Sequence, residues 1–157
     1  MALNNSWTLL AAAALLPVLL PAQTDYLTVA KTAKVVVKPK ATAEVKIPVQ
    51  LQSGFHVNSN TPSEEYLIPL RLTWEKSAAF ETVETIFPEP QTEKYEFSPK
   101  PLSVFTGDFE IVARVKARDL ASSGPGILLG KLRYQACSKT VCYRPRTIEV
   151  RLPYQIQ

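Results

Sequence analysis

"EVKIPVQL", residues 44 to 51, puts Val45, Ile47, Val49 and Leu51 on one side of an extended chain and Glu44, Lys46, Pro48 and Gln50 on the other. A period of two is the signature of a strand with one buried face. Pro48, which lacks a backbone donor, predicts that this strand lies at a sheet edge or carries a bulge. The pattern recurs along the chain. "LRLTWE" turns Leu70, Leu72 and Trp74 inward, "FEIVARVKA" does the same with Phe109, Ile111, Ala113, Val115 and Ala117, and "TIEVRL" with Ile148, Val150 and Leu152. Thirteen prolines against five glycines argue against a helical bundle, because proline breaks helix interiors but is tolerated in turns and at sheet edges. The prediction is an all-β, single-domain, immunoglobulin-like antiparallel β-sandwich. At 157 residues and 46% hydrophobic composition the chain can bury one core and is too short for two ordinary domains.

Residues 1–23, "MALNNSWTLLAAAALLPVLLPAQ", hold no charged side chain and an apolar run from about Leu9 to Leu20. That run is short for a membrane span and fits the apolar region of a secretory signal peptide, with cleavage near Ala22 or Gln23. The expectation is therefore an exported protein, with residues 24–157 forming the mature domain; an uncleaved N-terminal anchor is the alternative. The net charge of +4 is far below a nucleic-acid-binding signature. Two segments read as surface loops: "SGFHVNSNTPSEEY" (53–66), and "FPEPQTEKYEFSPKP" (87–101) with four prolines. "ASSGPG" (121–126) reads as a turn.

Both cysteines fall in "YQACSKTVCYRP", residues 134–145. An undistorted strand through "KLRYQAC" sets Leu132, Tyr134 and Ala136 on one face and delivers Cys137 to the polar face. A disulfide from Cys137 to Cys142 across the following turn meets the Cα separation of about 4.4–6.8 Å that such bonds need. In an exported protein such a pair is commonly a structural brace. Closing so short a loop stabilises by only about 2 kcal/mol, however. Lys139, Arg144 and Arg146 lie close in sequence to Cys142, and nearby cations favour the thiolate that attacks disulfides. A closed zinc site needs four Cys or His ligands, and this chain has two cysteines and one histidine, His56. Two thiolates are enough for Cu(I), which leaves a copper chaperone as a third reading. His56 as a catalytic base is weaker still, since a lone histidine is more often a packing residue. No glycine-rich phosphate loop is present, and no cofactor is expected.

"LRYQACSKTVCYRPRTIEV" resembles the end of the N-terminal periplasmic domain of the thiol:disulfide interchange protein DsbD, the disulfide-bond corrector family. The resemblance rests on Tyr134 and Gln135 before Cys137, and on Cys142 and Tyr143 followed by Pro145 and Thr147. "GFHVNSNTPSEEYLIPLRL" resembles an earlier segment of that family, and the likeness covers most of residues 25–153. It implies an immunoglobulin-like sandwich whose cysteine pair is shielded by a cap loop. The cap aromatic falls on Phe97 with Glu96 beside it, while tyrosines lining the site of the best-known member fall here on His56 and Asn58. The cysteine spacing is one residue shorter than in that member.

The implied role is thiol-disulfide interchange. Electrons arrive from a thioredoxin-like partner fed by a separate membrane transporter and pass to periplasmic disulfide isomerases or cytochrome c maturation thioredoxins. Cys142 is the implied attacking sulfur and Cys137 the resolving one. Lys139 and Arg144 bias Cys142 towards thiolate, and Glu96 opposes them. Tyr134 and Tyr143 read more readily as strand residues packed beside the bridge than as parts of the site. The rival from another class is a redox-silent binding module in which the two cysteines brace a hairpin.

Overall fold

The computed structural model describes residues 25–157, so the proposed signal segment lies outside the described residues. Among them there is no helix, and the strands form three four-stranded sheets. The first contains β1 (Leu27–Val29), β3 (Thr42–Leu51), β9 (Phe109–Ala117) and β6 (Phe80–Ile86), in that spatial order. The second orders β2 (Val35–Val37), β12 (Arg146–Ile156), β10 (Gly124–Tyr134) and β5 (Arg71–Trp74). These two are the sandwich. Their inward residues, among them Ile47, Ile111, Ala113, Leu132, Val150 and Leu152, are fully buried in one core. Trp74 joins the sheets at one edge, its indole Nε1 donating to Thr85 Oγ1 at 2.9 Å from β5 to β6.

The alternating residues of the four strands read from the sequence point as expected, with Phe109, Trp74 and Ile148 only partly covered. Pro48 differs. It sits in an inner strand flanked by β1 and β9, not at an edge. Its carbonyl accepts from the Ala30 amide at 3.0 Å, and a strand residue turns its N and O to the same neighbour. The missing donor therefore faces the end of short β1 and leaves the β9 ladder intact. One pairing, β2 with β12, is parallel, so the sandwich is not wholly antiparallel. The turn expected at 121–126 ends early, because β10 begins at Gly124.

The third sheet departs furthest from a plain two-layer sandwich. It orders β11 (Ala136–Cys137), β4 (His56–Asn58), β8 (Leu102–Thr106) and β7 (Gln91–Glu93). β4 and β7 come from the two segments read as loops. β4 is buried along its whole length, although it carries His56 and Asn58. Leu67, Tyr95, Leu102 and Val104 form a small second core against this sheet.

Candidate functional site

Cys137 does not leave on the polar face. The strand run stops at Tyr134, Gln135 interrupts it, and the chain resumes as β11, which pairs with β4 in the third sheet. The interruption turns Cys137 inward, where it is fully buried, while Cys142 is partly exposed. The two are joined as a disulfide with a Cα separation of 3.9 Å, shorter than the expected range. The ladder explains the closeness. The Tyr143 amide donates to the Ala136 carbonyl at 2.9 Å and the Ser138 amide to the Val141 carbonyl at 2.8 Å. Those bonds flank Cys137 and Cys142, making them a directly opposed, non-hydrogen-bonded pair, the position where antiparallel strands approach most closely.

The turn between the cysteines is closed by Ser138, whose hydroxyl oxygen accepts from the Thr140 and Val141 amides at 3.3 and 3.2 Å. Gln135 braces the return strand, its Nε2 donating to the Tyr143 carbonyl at 2.9 Å. Neither hydrogen-bonding role is read from the sequence, where Gln135 serves only the family resemblance. Short polar side chains that bond their own backbone are the signal for the first.

Across the third sheet the register sets Thr106 opposite His56, His56 opposite Cys137, and Cys137 opposite Cys142. Directly opposed residues share a sheet face, so these four side chains form one row. Tyr95 stacks on the His56 ring with centroids 3.8 Å apart, and Phe97 follows at 5.6 Å from Tyr95 and 6.1 Å from His56, its plane parallel to the imidazole. The segment proposed as a cap thus lies over His56, the cross-strand neighbour of Cys137. Tyr95 is its buried anchor, and Phe97 stays partly exposed.

Glu96 points to solvent. The carboxylate near the imidazole is instead Glu93, which accepts from the Tyr95 hydroxyl at 2.7 Å. Burial pushes the His56 pKa down to about 4, against the weaker upward pull of Glu93. Burial, reinforced by the bond to Glu93, also raises that of Tyr95. A cleft of about 590 Å³ opens here, with His56, Glu93, Tyr95, Asp108 and Lys139 among its lining residues. Gly54, at φ 84°, turns the chain at its rim, a conformation that favours glycine.

On the other side of the bridge, Tyr143 packs against Tyr26 at 4.8 Å and Phe55 at 5.8 Å, and the Arg146 guanidinium lies 5.7 Å above the Tyr26 ring. Arg146 is also paired with Asp25 at 3.0 Å, so its charge is partly met there rather than directed at Cys142. Arg144 and Lys139 are exposed. Tyr134 is buried, its hydroxyl near the Tyr26 and Leu27 backbone without a well-formed hydrogen bond, and its pKa is raised chiefly by burial. Among the described residues no cluster of His, Cys, Asp or Glu is arranged to hold a metal ion.

No match to a curated protein sequence was found. The N-terminal periplasmic domain of ScsB from Proteus mirabilis shares the fold at 16% identity and a TM-score of 0.53, over 80% of this chain and 44% of that one. This chain thus spans less than half the length of that domain. The reduced N-terminal domain of DsbD from Neisseria meningitidis is also similar, with 16% identity and a TM-score of 0.43, covering 76% of this chain and 86% of that one. The family model described as thiol:disulfide interchange protein DsbD, N-terminal, matches residues 23–153. With that match spanning most of the chain, and with a cysteine pair joined at the end of an immunoglobulin-like sandwich, the protein belongs to the family of DsbD N-terminal, thiol-disulfide interchange domains.

Proposed function

We propose that this protein is an exported, periplasmic electron relay that exchanges its Cys137–Cys142 bridge with thioredoxin-like partners of the disulfide isomerase or cytochrome c maturation type. A membrane electron transporter replenishes it. The observation that carries the reading is the unequal burial of the two cysteines: Cys142 is partly exposed and Cys137 is fully buried. In the reduced protein, Cys142 as thiolate attacks the partner's disulfide, forming a mixed disulfide and releasing one partner thiolate. Cys137 then loses its proton and attacks Cys142 Sγ. The intramolecular bridge re-forms, and the second partner sulfur leaves as thiolate and takes up the proton. Lys139 and Arg144 favour the Cys142 thiolate, and Phe97, lying over the row that ends at the bridge, limits access by water and stray thiols.

The test is the reduction potential of the bridge, measured by equilibrating residues 24–157 in graded glutathione and dithiothreitol buffers. A value of about −250 to −150 mV, the range of exchange-active proteins, is expected, with Cys137→Ser trapping thioredoxin-like proteins as mixed disulfides. A potential below about −300 mV without trapped partners returns the bridge to the role of brace in a redox-silent binding module.

A further inference from the structure

His56 Nε2 is buried and has no hydrogen-bond partner in the disulfide form. An enclosed imidazole nitrogen without a partner costs free energy, and such an atom calls for an explanation. The side chain directly across the ladder from His56 is Cys137, with Cβ atoms of such a pair about 4.5–5.5 Å apart. In the oxidised protein that sulfur is bonded to Cys142 and has no proton to offer. Reduction changes this. A dithiol partner gives two electrons and two protons, becomes a disulfide itself, and leaves Cys137 and Cys142 as thiols. Cys142 can ionise towards solvent. Cys137, fully enclosed, favours the neutral thiol, which carries one S–H donor.

We propose that His56 is a positioning residue for the redox step: its Nε2 accepts a hydrogen bond from the reduced Cys137 thiol and so shifts the bridge towards the dithiol state. The proposal rests on the relay reading above and adds to it a residue that sets how readily the bridge opens. Several features hold the acceptor in place. β4 is buried on every residue, Tyr95 lies flat on the imidazole at 3.8 Å, and Tyr95 is itself fixed by its bond to Glu93. Burial also keeps the imidazole neutral near pH 7, so a lone pair is available to a thiol. The orphaned nitrogen is thus a feature of one redox state only. Its cost is borne by the disulfide and relieved in the dithiol.

The experiment compares the equilibrium of the bridge with dithiothreitol at pH 7 for the unaltered protein, His56→Phe and His56→Gln. The phenyl ring keeps the stacking platform and removes the acceptor, whereas the glutamine amide retains a polar group. His56→Phe is expected to lower the equilibrium constant for reduction five- to tenfold, about 20–30 mV. His56→Gln is expected to stay within about twofold of the unaltered protein. A His56→Phe constant equal to the unaltered one overturns the proposal.

Should His56→Phe fail to fold, the imidazole nitrogen resonances of the unaltered protein decide. Nε2 is expected to shift on reduction in the sense of a newly hydrogen-bonded acceptor, and identical resonances in both redox states overturn the assignment. The absolute potential of the unaltered protein tests the relay, and the difference between variants tests His56. Either can fail without the other.

Discussion

At the scale of single residues, the site depends on groups that are buried and polar at once. His56 carries a measurable consequence. Its folded pKa of about 4 lies below the value of 6.5 for a free imidazole, so between these two pH values the unfolded chain binds a proton that the native protein refuses. The stability tied to the neutral ring is complete above pH 6.5 and is lost as pH falls towards 4. The loss is about 3 kcal/mol at pH 4. Glu93 works against it, and Asp108 and Lys139 line the same cleft with opposite charges. Urea unfolding at pH 7 and pH 4 is expected to show that loss over and above the protonation of carboxylates, and His56→Gln should remove most of the excess. An identical pH slope in the two proteins would mean that His56 is protonated without penalty. In sequence His56 reads only as a solitary histidine in a polar segment, because its neighbours Tyr95 and Glu93 lie more than thirty residues away.

At the scale of elements, the sandwich was legible because alternation reports burial directly. Val45, Ile47, Val49 and Leu51 face the core because a strand with one wet side has no other arrangement. Register and close approach are not written in that alternation. Gly130 lies opposite Trp74, and a Cβ placed on it would sit 2.8 Å from the indole Cε3 and 3.0 Å from Leu72 Cδ1. The indole is not free to yield, being tied to Thr85 across the sheet edge. Gly130→Ala is therefore expected to destabilise the protein by about 1–3 kcal/mol through overpacking, read as a lower urea midpoint with an unchanged m-value. Stability equal to or above that of the parent would show that the indole moves aside freely.

The third sheet was illegible for a different reason. β4 and β7 have three residues each, and β11 has two. Runs this short show no period, and β4 buries a histidine and an asparagine where a sequence reading expects solvent. The Gln135 interruption that turns Cys137 inward is invisible as well, since "KLRYQAC" alternates without a break. The resemblance of the cysteine segment to a known family pointed to the cysteine pair and a cap loop, but not to the sheet that holds them.

At the scale of the whole molecule, the bridge lies at one end and closes a loop of residues separated by only five positions, while the core is built by pairings that span the chain, such as β3 with β9 and β10 with β12. A crosslink stabilises chiefly by restricting the unfolded chain, and a loop of this length restricts it by about 2 kcal/mol at most. The sandwich core does not include either cysteine. Reduction is therefore expected to leave the β-sheet circular dichroism spectrum unchanged and to lower the melting temperature by roughly 5–10 °C. Any acceptor bond made by the reduced Cys137 would make the fall smaller. This separation of bridge from core is what an exchange protein needs, because it must remain folded in both redox states to meet successive partners. Collapse of the tertiary fold on reduction, seen as loss of the near-ultraviolet signal together with the melting transition, would make the pair a structural crosslink and the relay untenable.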